Sequence, residues 1–409
     1  MAWVLAMLLS ASSALAQQGK ALNLYFMISS GAQRDAWTSL VQAFEQQHPD
    51  IRVETRVFEQ EQYKREFEQR LRREPVDVAF WFAGERLRSM VDAGVLAPLD
   101  TQFVAQTAKD AFTRASIDST RVDTRHYALP FSYYAWGLFY SKSLFAQWGL
   151  KPPTTWTEFL ALNNTLQSHG VTPLAVGAKA GWPAAAWFDY LNMRFNGLEF
   201  HQRLLRGQES FGDKRVTQVL QAWRQLLVSK YFLPDTMGQD WDSVLPYLYR
   251  QQVGMALLGG SAIAKLPNTG IGGRIPSEDI GFFPFPLLTP KSPRYEDAPL
   301  DVLVLPASGT NRAEAHAFLR FLATTEHLNL YNQAARKLSP RNDFATDWHP
   351  INNASKQLLD RADGIAFFFD RNAHAALVPV ALDAFQQFMR PPHDVAALQK
   401  ALQSVALPE

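Results

Sequence analysis

The sequence predicts an α/β protein built from two domains. Three observations lead there. The chain has 409 residues, 47% of them hydrophobic, which exceeds what one compact core usually holds. Strand-like and helix-like apolar periods alternate from residue 22 onward. A second succession of helices and short strands begins near residue 130.

Residues 22–28, LNLYFMI, place Leu22, Leu24, Phe26 and Ile28 at period two, the spacing of one strand face. After Ser29-Ser30-Gly31, Trp37, Leu40, Val41 and Phe44 fall on one helix face, and Pro49 ends that helix. Residues 51–57, IRVETRV, alternate again. Tyr63, Phe67 and Leu71 then mark one side of a second helix, and Pro75 precedes the apolar strand VDVAF. A β-α-β-α-β order implies right-handed parallel crossovers. Open sheets of this kind bind ligands beyond the carboxyl ends of their strands. Those ends carry Ser29-Ser30-Gly31, Glu59-Gln60 and Trp81-Phe82-Ala83-Gly84. Hydroxyls, a carboxylate, an amide and aromatic rings gathered at one edge suit a polyol.

In the second region, Thr155 and Glu158 form a capping box for a helix that turns Trp156, Phe159 and Leu160 inward. Helical patterns follow at 184–195, 214–229 and 241–252. Residues 253–258, VGMALL, read as a short buried strand ending at Gly259-Gly260, and 266–286 as a loop leading to a strand. Asn311 and Glu314 are expected to cap a helix carrying Phe318, Phe321 and Leu322. A Pro-Arg turn at 340–341 and further helices complete the chain. No internal repeat or low-complexity segment occurs.

Net charge is +1, with no long single-sign run, which argues against a nucleic-acid partner. Residues 1–16, MAWVLAMLLSASSALA, end in a small-x-small site and are expected to be a signal peptide cleaved before Gln17. The stretch is too short to span a membrane. No Lys or Arg precedes Lys20, so the natural start is expected further upstream. The chain has no cysteine. A lipid anchor at the cleavage site is therefore not expected, and the mature protein is expected free in the periplasm of a Gram-negative cell.

Aromatic residues dominate the candidate chemistry, with 11 Trp, 12 Tyr and 28 Phe. FSYYAWGLFY at 131–140 and WPAAAWFDY at 182–190 concentrate them. Flat rings beside polar groups match the CH faces and hydroxyls of sugars. Most such rings fill cores; Trp182, beside a proline, and Tyr134, after a strand start, are expected to face a cleft. Paired carboxylates, Glu59 with Asp77 or Asp189 with Asp370, raise the possibility of glycoside hydrolysis. Nothing around them is diagnostic, and surface or hydrogen-bonding roles are the default. Nine scattered histidines show no metal-ligand spacing. Gly270, Gly272 and Gly273 lack the GK[ST] of a phosphate loop, and no GxSxG elbow is present.

Several segments in order resemble one family. AFEQQHPDIRVE, PVDVAFWFAGERLRSMVDAGVLAPLD, HYALPFSYYAWGLFYSKSLFAQWGLKPPTTWTEFL, GWPAAAWFDYLNMRFNG, GMALLGGSA, DIGFFPFP and KLSPRNDF are similar to family 1 extracellular solute-binding proteins, the sugar receptors of ABC importers. The resemblance implies a two-lobed clamshell, the type II periplasmic-binding-protein fold, with a hinge crossed more than once. The discontinuous α/β lobes would span 20–130 plus 285–340, and 131–284 plus 341–409. It implies ligand contacts from Ser30, Glu59, Trp81 and Phe82 on the first lobe. From the hinge and second lobe it implies Tyr133, Tyr134, Trp182, Asp189, Trp241, Gly259, Gly260, Arg341 and Asp370. The run Asp370-Arg371-Asn372-Ala373-His374-Ala375 departs from relatives that carry an acidic or threonine-rich stretch there, which puts Asp370 in question. The implied activity is capture of a small carbohydrate and delivery to an inner-membrane ABC permease by a monomer, with no cofactor, metal or chemical step. A carbohydrate-active enzyme using Glu59, a receptor serving a signalling partner, and a polyamine receptor are the alternatives.

Overall fold

The computed structural model describes residues 20–28, 30–107, 111–234, 238–267, 277–344 and 349–405. The expected signal peptide and the glycines at 270, 272 and 273 lie outside these residues. Strand β1 (Lys20–Met27), helix α1 (Gly31–Gln47), strand β2 (Ile51–Phe58), helix α2 (Gln60–Arg73) and strand β3 (Val78–Phe82) follow in the expected order. β1 lies between β2 and β3, parallel to both. The helices form because their apolar spacing meets this sheet: Trp37, Leu40 and Phe44 are buried on α1, and Tyr63, Phe67 and Leu71 on α2. The Trp37 ring stacks on Phe26 of β1, with centroids 3.8 Å apart.

Strand Leu300–Pro306 returns antiparallel to β3, and strand Ala128–Tyr133 pairs on its other side. A chain segment more than two hundred residues downstream thus completes the first sheet. Asp77, fully buried ahead of β3, ties the two parts together. Its carboxylate accepts from the backbone N–H groups of Asn23 (2.9 Å), Thr310 (3.0 Å) and Asn311 (2.9 Å). Asn311 stands at the N-cap of helix Arg312–Leu322, but its side chain makes no cap bond. Its amide donates instead to Ala21 O and to Asp77.

The second sheet runs in the order Ile280–Phe283, Trp136–Ser141, Val253–Gly259, Thr172–Ala175. Its capping box at Thr155 and Glu158 is formed. The pattern at 241–252 yields only the short helix Leu245–Tyr249. Helix Trp182–Leu205 is buried on nearly every side, breaking at Gly197 where φ is 82°. Trp187, Trp223 and Phe385 belong to its core, which also draws on the C-terminal helices Leu377–Phe388 and Val395–Gln403. The two largest of four buried clusters among the described residues come one from residues within 22–131 and 300–335, the other from residues within 136–285 and 366–402. Phe285 stacks on Tyr190 at 4.8 Å and 8°, so the chain still packs on the second lobe at 285. It pairs with the first sheet from Leu300.

Asp77→Ala removes the acceptor of three part-buried N–H groups. Each lost bond is worth about 0.5–1.5 kcal/mol net, so a loss of about 2 kcal/mol or more is expected. Urea denaturation followed by circular dichroism measures it; an unchanged midpoint would remove Asp77 as the tie.

Candidate ligand-binding cleft

The carboxyl ends of β1, β2 and β3 face the start of helix Trp182–Leu205 and the end of strand Val253–Gly259. Between them lies a cavity of about 1190 Å³, lined from both lobes. Its floor is a charged knot. Asp370, 3% exposed, sits in the one-turn helix Phe369–Asn372 of the second lobe. Its carboxylate accepts from Arg86 at 2.9 Å and pairs with Lys64 at 3.3 Å, both from the first lobe. Arg86 also donates to the Asp370 carbonyl at 2.7 Å. The next residue, Arg371, reaches the opposite way to Asp301 of the central strand (2.9 Å) and to the Tyr134 hydroxyl (3.2 Å). Lys337 Nζ donates to the other oxygen of Asp301 at 2.6 Å.

Burial opposes the charged form of Asp370, yet Lys64, Arg86 and Arg371 outweigh it and hold its pKa well below the usual carboxylate value. Asp301 follows the same pattern: burial opposes ionisation, while Lys337 and Arg371 prevail and lower its pKa. Close approach at the knot needs Gly84. At φ 83° it precedes helix α3 (Glu85–Asp92), and a Cβ there would stand 2.5 Å from the Arg371 carbonyl.

The second-lobe wall is aromatic. Trp182, 9% exposed, meets Trp136 edge-on at 5.9 Å, Phe368 at 5.7 Å and Trp241 at 6.3 Å. All four rings line the cavity. The indole N–H groups of Trp136 and Trp182 are buried without an acceptor. Tyr134 lies flat against Gly259, where a Cβ would sit 2.6 Å from its ring. Facing them, Lys64 Nζ stands 5.6 Å from the Trp182 ring centre and 5.7 Å from that of Phe82.

Of the residues expected at the site, Glu59, Phe82, Tyr134, Trp182, Trp241, Gly259 and Asp370 line this cavity. Glu59 also caps α2, accepting from the N–H groups of Glu61 and Gln62. Burial works against its charge, but those N–H groups prevail and lower its pKa.

The remaining six do not line it. Trp81 turns to the other side of β3, stacked on Phe67 at 3.7 Å with its N–H on Arg86 O. Ser30 caps α1 through the N–H of Gln33. Tyr133 exchanges backbone bonds with Leu338 at the hinge. Gly260 turns toward Ser355. Arg341 pairs with Asp343 and packs over Phe112. Asp189 is fully buried beneath the aromatic wall, accepting from Phe369 N–H at 2.8 Å. Burial and nearby Asp297 push its pKa far up, and burial lowers that of His201, 3.6 Å away, to about 3. Both shifts favour the uncharged forms of the two groups. Sequence reasoning missed Lys64, Arg86, Trp136, Asp301, Phe368 and Arg371. Trp136 and Phe368 gave a signal as members of aromatic runs, and Arg371 as part of the departing stretch after Asp370.

Over residues 29–327 the sequence matches the family described as bacterial extracellular solute-binding protein. The chain belongs to that family, and its architecture is the two-lobed α/β fold of solute receptors. It is 24% identical over 373 residues to an uncharacterized ABC transporter extracellular-binding protein of Pyrococcus horikoshii, covering 89% of this chain and 81% of that one. A probable sugar-binding periplasmic protein of Brucella melitensis is 23% identical over 207 residues, 50% of this chain and 47% of that one. Among solved structures, the bacterial solute receptor AcbH superposes with a TM-score of 0.87 and 28% identity, over 94% of this chain and 98% of that one. AcbH is described as having an exclusive substrate preference for β-D-galactopyranose. Among the described residues, no helix is long and apolar enough to cross a membrane.

Removing the Asp370 charge strands Arg86 and Lys64, so Asp370→Asn is expected to cost about 3–5 kcal/mol near neutral pH. Because the folded pKa is depressed, this contribution is full above the unfolded carboxylate value of about 4 and is lost as pH falls through the folded one. The stability gap between the parent and Asp370→Asn, measured in urea at several pH values, should narrow below about pH 4. A gap independent of pH contradicts the assignment.

Proposed function

We propose that this protein is a periplasmic receptor that captures a saccharide between its lobes and delivers it to an ABC import permease. The observation that carries this is the pairing across one cavity of an aromatic wall, Trp136, Trp182, Trp241 and Phe368, with a polar and charged first-lobe wall. Sugar rings present CH faces to indoles and hydroxyls to polar side chains, and this cleft supplies both. Its volume, about 1190 Å³, lies above the roughly 300–1,000 Å³ common for small-molecule sites and leaves room for more than one sugar ring. Membership of the solute-binding family and the sugar-binding relatives support the same reading. A signal-like N-terminus and the lack of cysteine support the periplasmic location.

Binding and closure form one equilibrium. A saccharide that touches both walls stabilises the closed arrangement, which the permease recognises through surfaces of both lobes. No bond is broken in this scheme. The four candidate carboxylates all hold structural bonds: Asp77 holds the first sheet, Asp189 accepts from Phe369 N–H, Asp370 holds Arg86 and Lys64, and Glu59 caps α2.

A thermal-shift screen over mono-, di- and trisaccharides is expected to raise the melting temperature with at least one member. That saccharide should change tryptophan fluorescence, and Trp182→Ala should weaken its binding by at least ~1 kcal/mol. Product release from an oligosaccharide, abolished by Glu59→Gln, would instead establish an enzyme.

A further inference from the structure

The cleft's hydrogen-bonding groups are not balanced. Each acid lining it already accepts from the protein. Glu59 caps α2, and Glu61 takes Gln60 and Lys64. Asp240 pairs with Lys179 at 3.2 Å and Asp242 with Lys265 at 3.3 Å. Asp301 and Asp370 belong to the knot, where two carboxylates serve four cations. Two lining cations remain. The guanidinium groups of Arg34 on α1 and Arg65 on α2 make no hydrogen bond or ion pair with any described residue, and both stand on the first-lobe side. The indole N–H groups of Trp136 and Trp182 are likewise without acceptors on the second-lobe side. These four groups, two exposed guanidiniums and two buried indole N–H groups, are all donors.

A neutral sugar's hydroxyls each donate and accept and carry no charge, so they leave the charge of two unpaired guanidinium groups unmatched. A ligand with surplus acceptors fits better. Guanidinium is the side chain whose planar fork matches a carboxylate bidentately. From this juxtaposition we infer that the receptor's preferred ligand is an acidic saccharide, a uronate, with its ring against Trp182 and Trp241 and its carboxylate on Arg34 and Arg65. The inference rests on the receptor reading above. A carboxylate held by the first lobe, with its ring held by the second, requires both lobes to engage the same sugar.

Calorimetric titration of the purified chain with matched pairs tests it: galactose and galacturonate, glucose and glucuronate, mannose and mannuronate, and their dimers. In at least one pair the uronate is expected to bind about tenfold tighter or better, and the margin should shrink at high salt, where charge attraction is screened. Arg34→Gln with Arg65→Gln should abolish that margin while leaving the ligand-free melting temperature unchanged, since both side chains are exposed. Neutral members binding as tightly as their uronates in every pair would overturn the inference and leave the receptor standing. A uronate preference that survives the double substitution would overturn the role of these arginines. Heat of binding from none of the saccharides would overturn the receptor reading and this inference with it.

Discussion

Asp370 and Arg371 are neighbours in sequence with opposite charges, and they reach in opposite directions. Asp370 pulls Arg86 and Lys64 of the first lobe onto the second, while Arg371 fixes Asp301 on the strand that completes the first sheet. Buried charges are costly to desolvate, and such a knot persists only when nearly every lone pair and proton is matched. Here the matching is dense: Asp301 accepts from Arg371, Lys337 and Ser132, and Arg371 also donates to Tyr134. The knot holds the two lobes in register at the base of the cleft and places Phe82 under the Arg371 guanidinium, 4.3 Å from its ring centre.

The walls follow from the cores. In the first lobe, helices packed on a parallel sheet must start at its carboxyl edge, so α1 and α2 bring Arg34, Glu59, Lys64 and Arg65 to the opening. In the second lobe, the long helix buries Trp187, Phe188 and Tyr190 and leaves its first residue, Trp182, at the same opening. Trp136 and Gly259 arrive beside it because their strands pair at those positions. Gly259 lacks a side chain so that the Tyr134 ring can lie against it. The aromatic cluster on the second lobe and the helix-start side chains on the first are thus consequences of where each core ends.

Periodicity made β1, α1, β2 and α2 legible, since each has a covered face and a more open one, and β3 was legible only as an apolar run after Pro75. It failed at Trp81. All five residues of β3 are buried, so alternation says nothing about which side faces the cleft, and Phe82 rather than Trp81 points there. Asp189 was unreadable for a related reason: its helix is buried all round, and a carboxyl in such a helix has no sequence mark separating cleft from core. Trp182 was legible as a ring beside proline. The knot was not, because Lys64 and Asp370 are 306 positions apart and neither has a local motif. The changed stretch after Asp370 drew attention to the right place, although the residue that does most there is Arg371.

Closure around a shared ligand is the central claim, and the lack of native cysteine allows it to be observed directly. Gln62 on α2 and Ser243 beside Asp242 are exposed and flank the opening from the two lobes. With Gln62→Cys and Ser243→Cys carrying spin labels, double electron–electron resonance reads the distance between them. A saturating saccharide should draw the distribution to a shorter, narrower peak. A distribution unchanged by a saccharide that calorimetry shows to be bound would contradict the account.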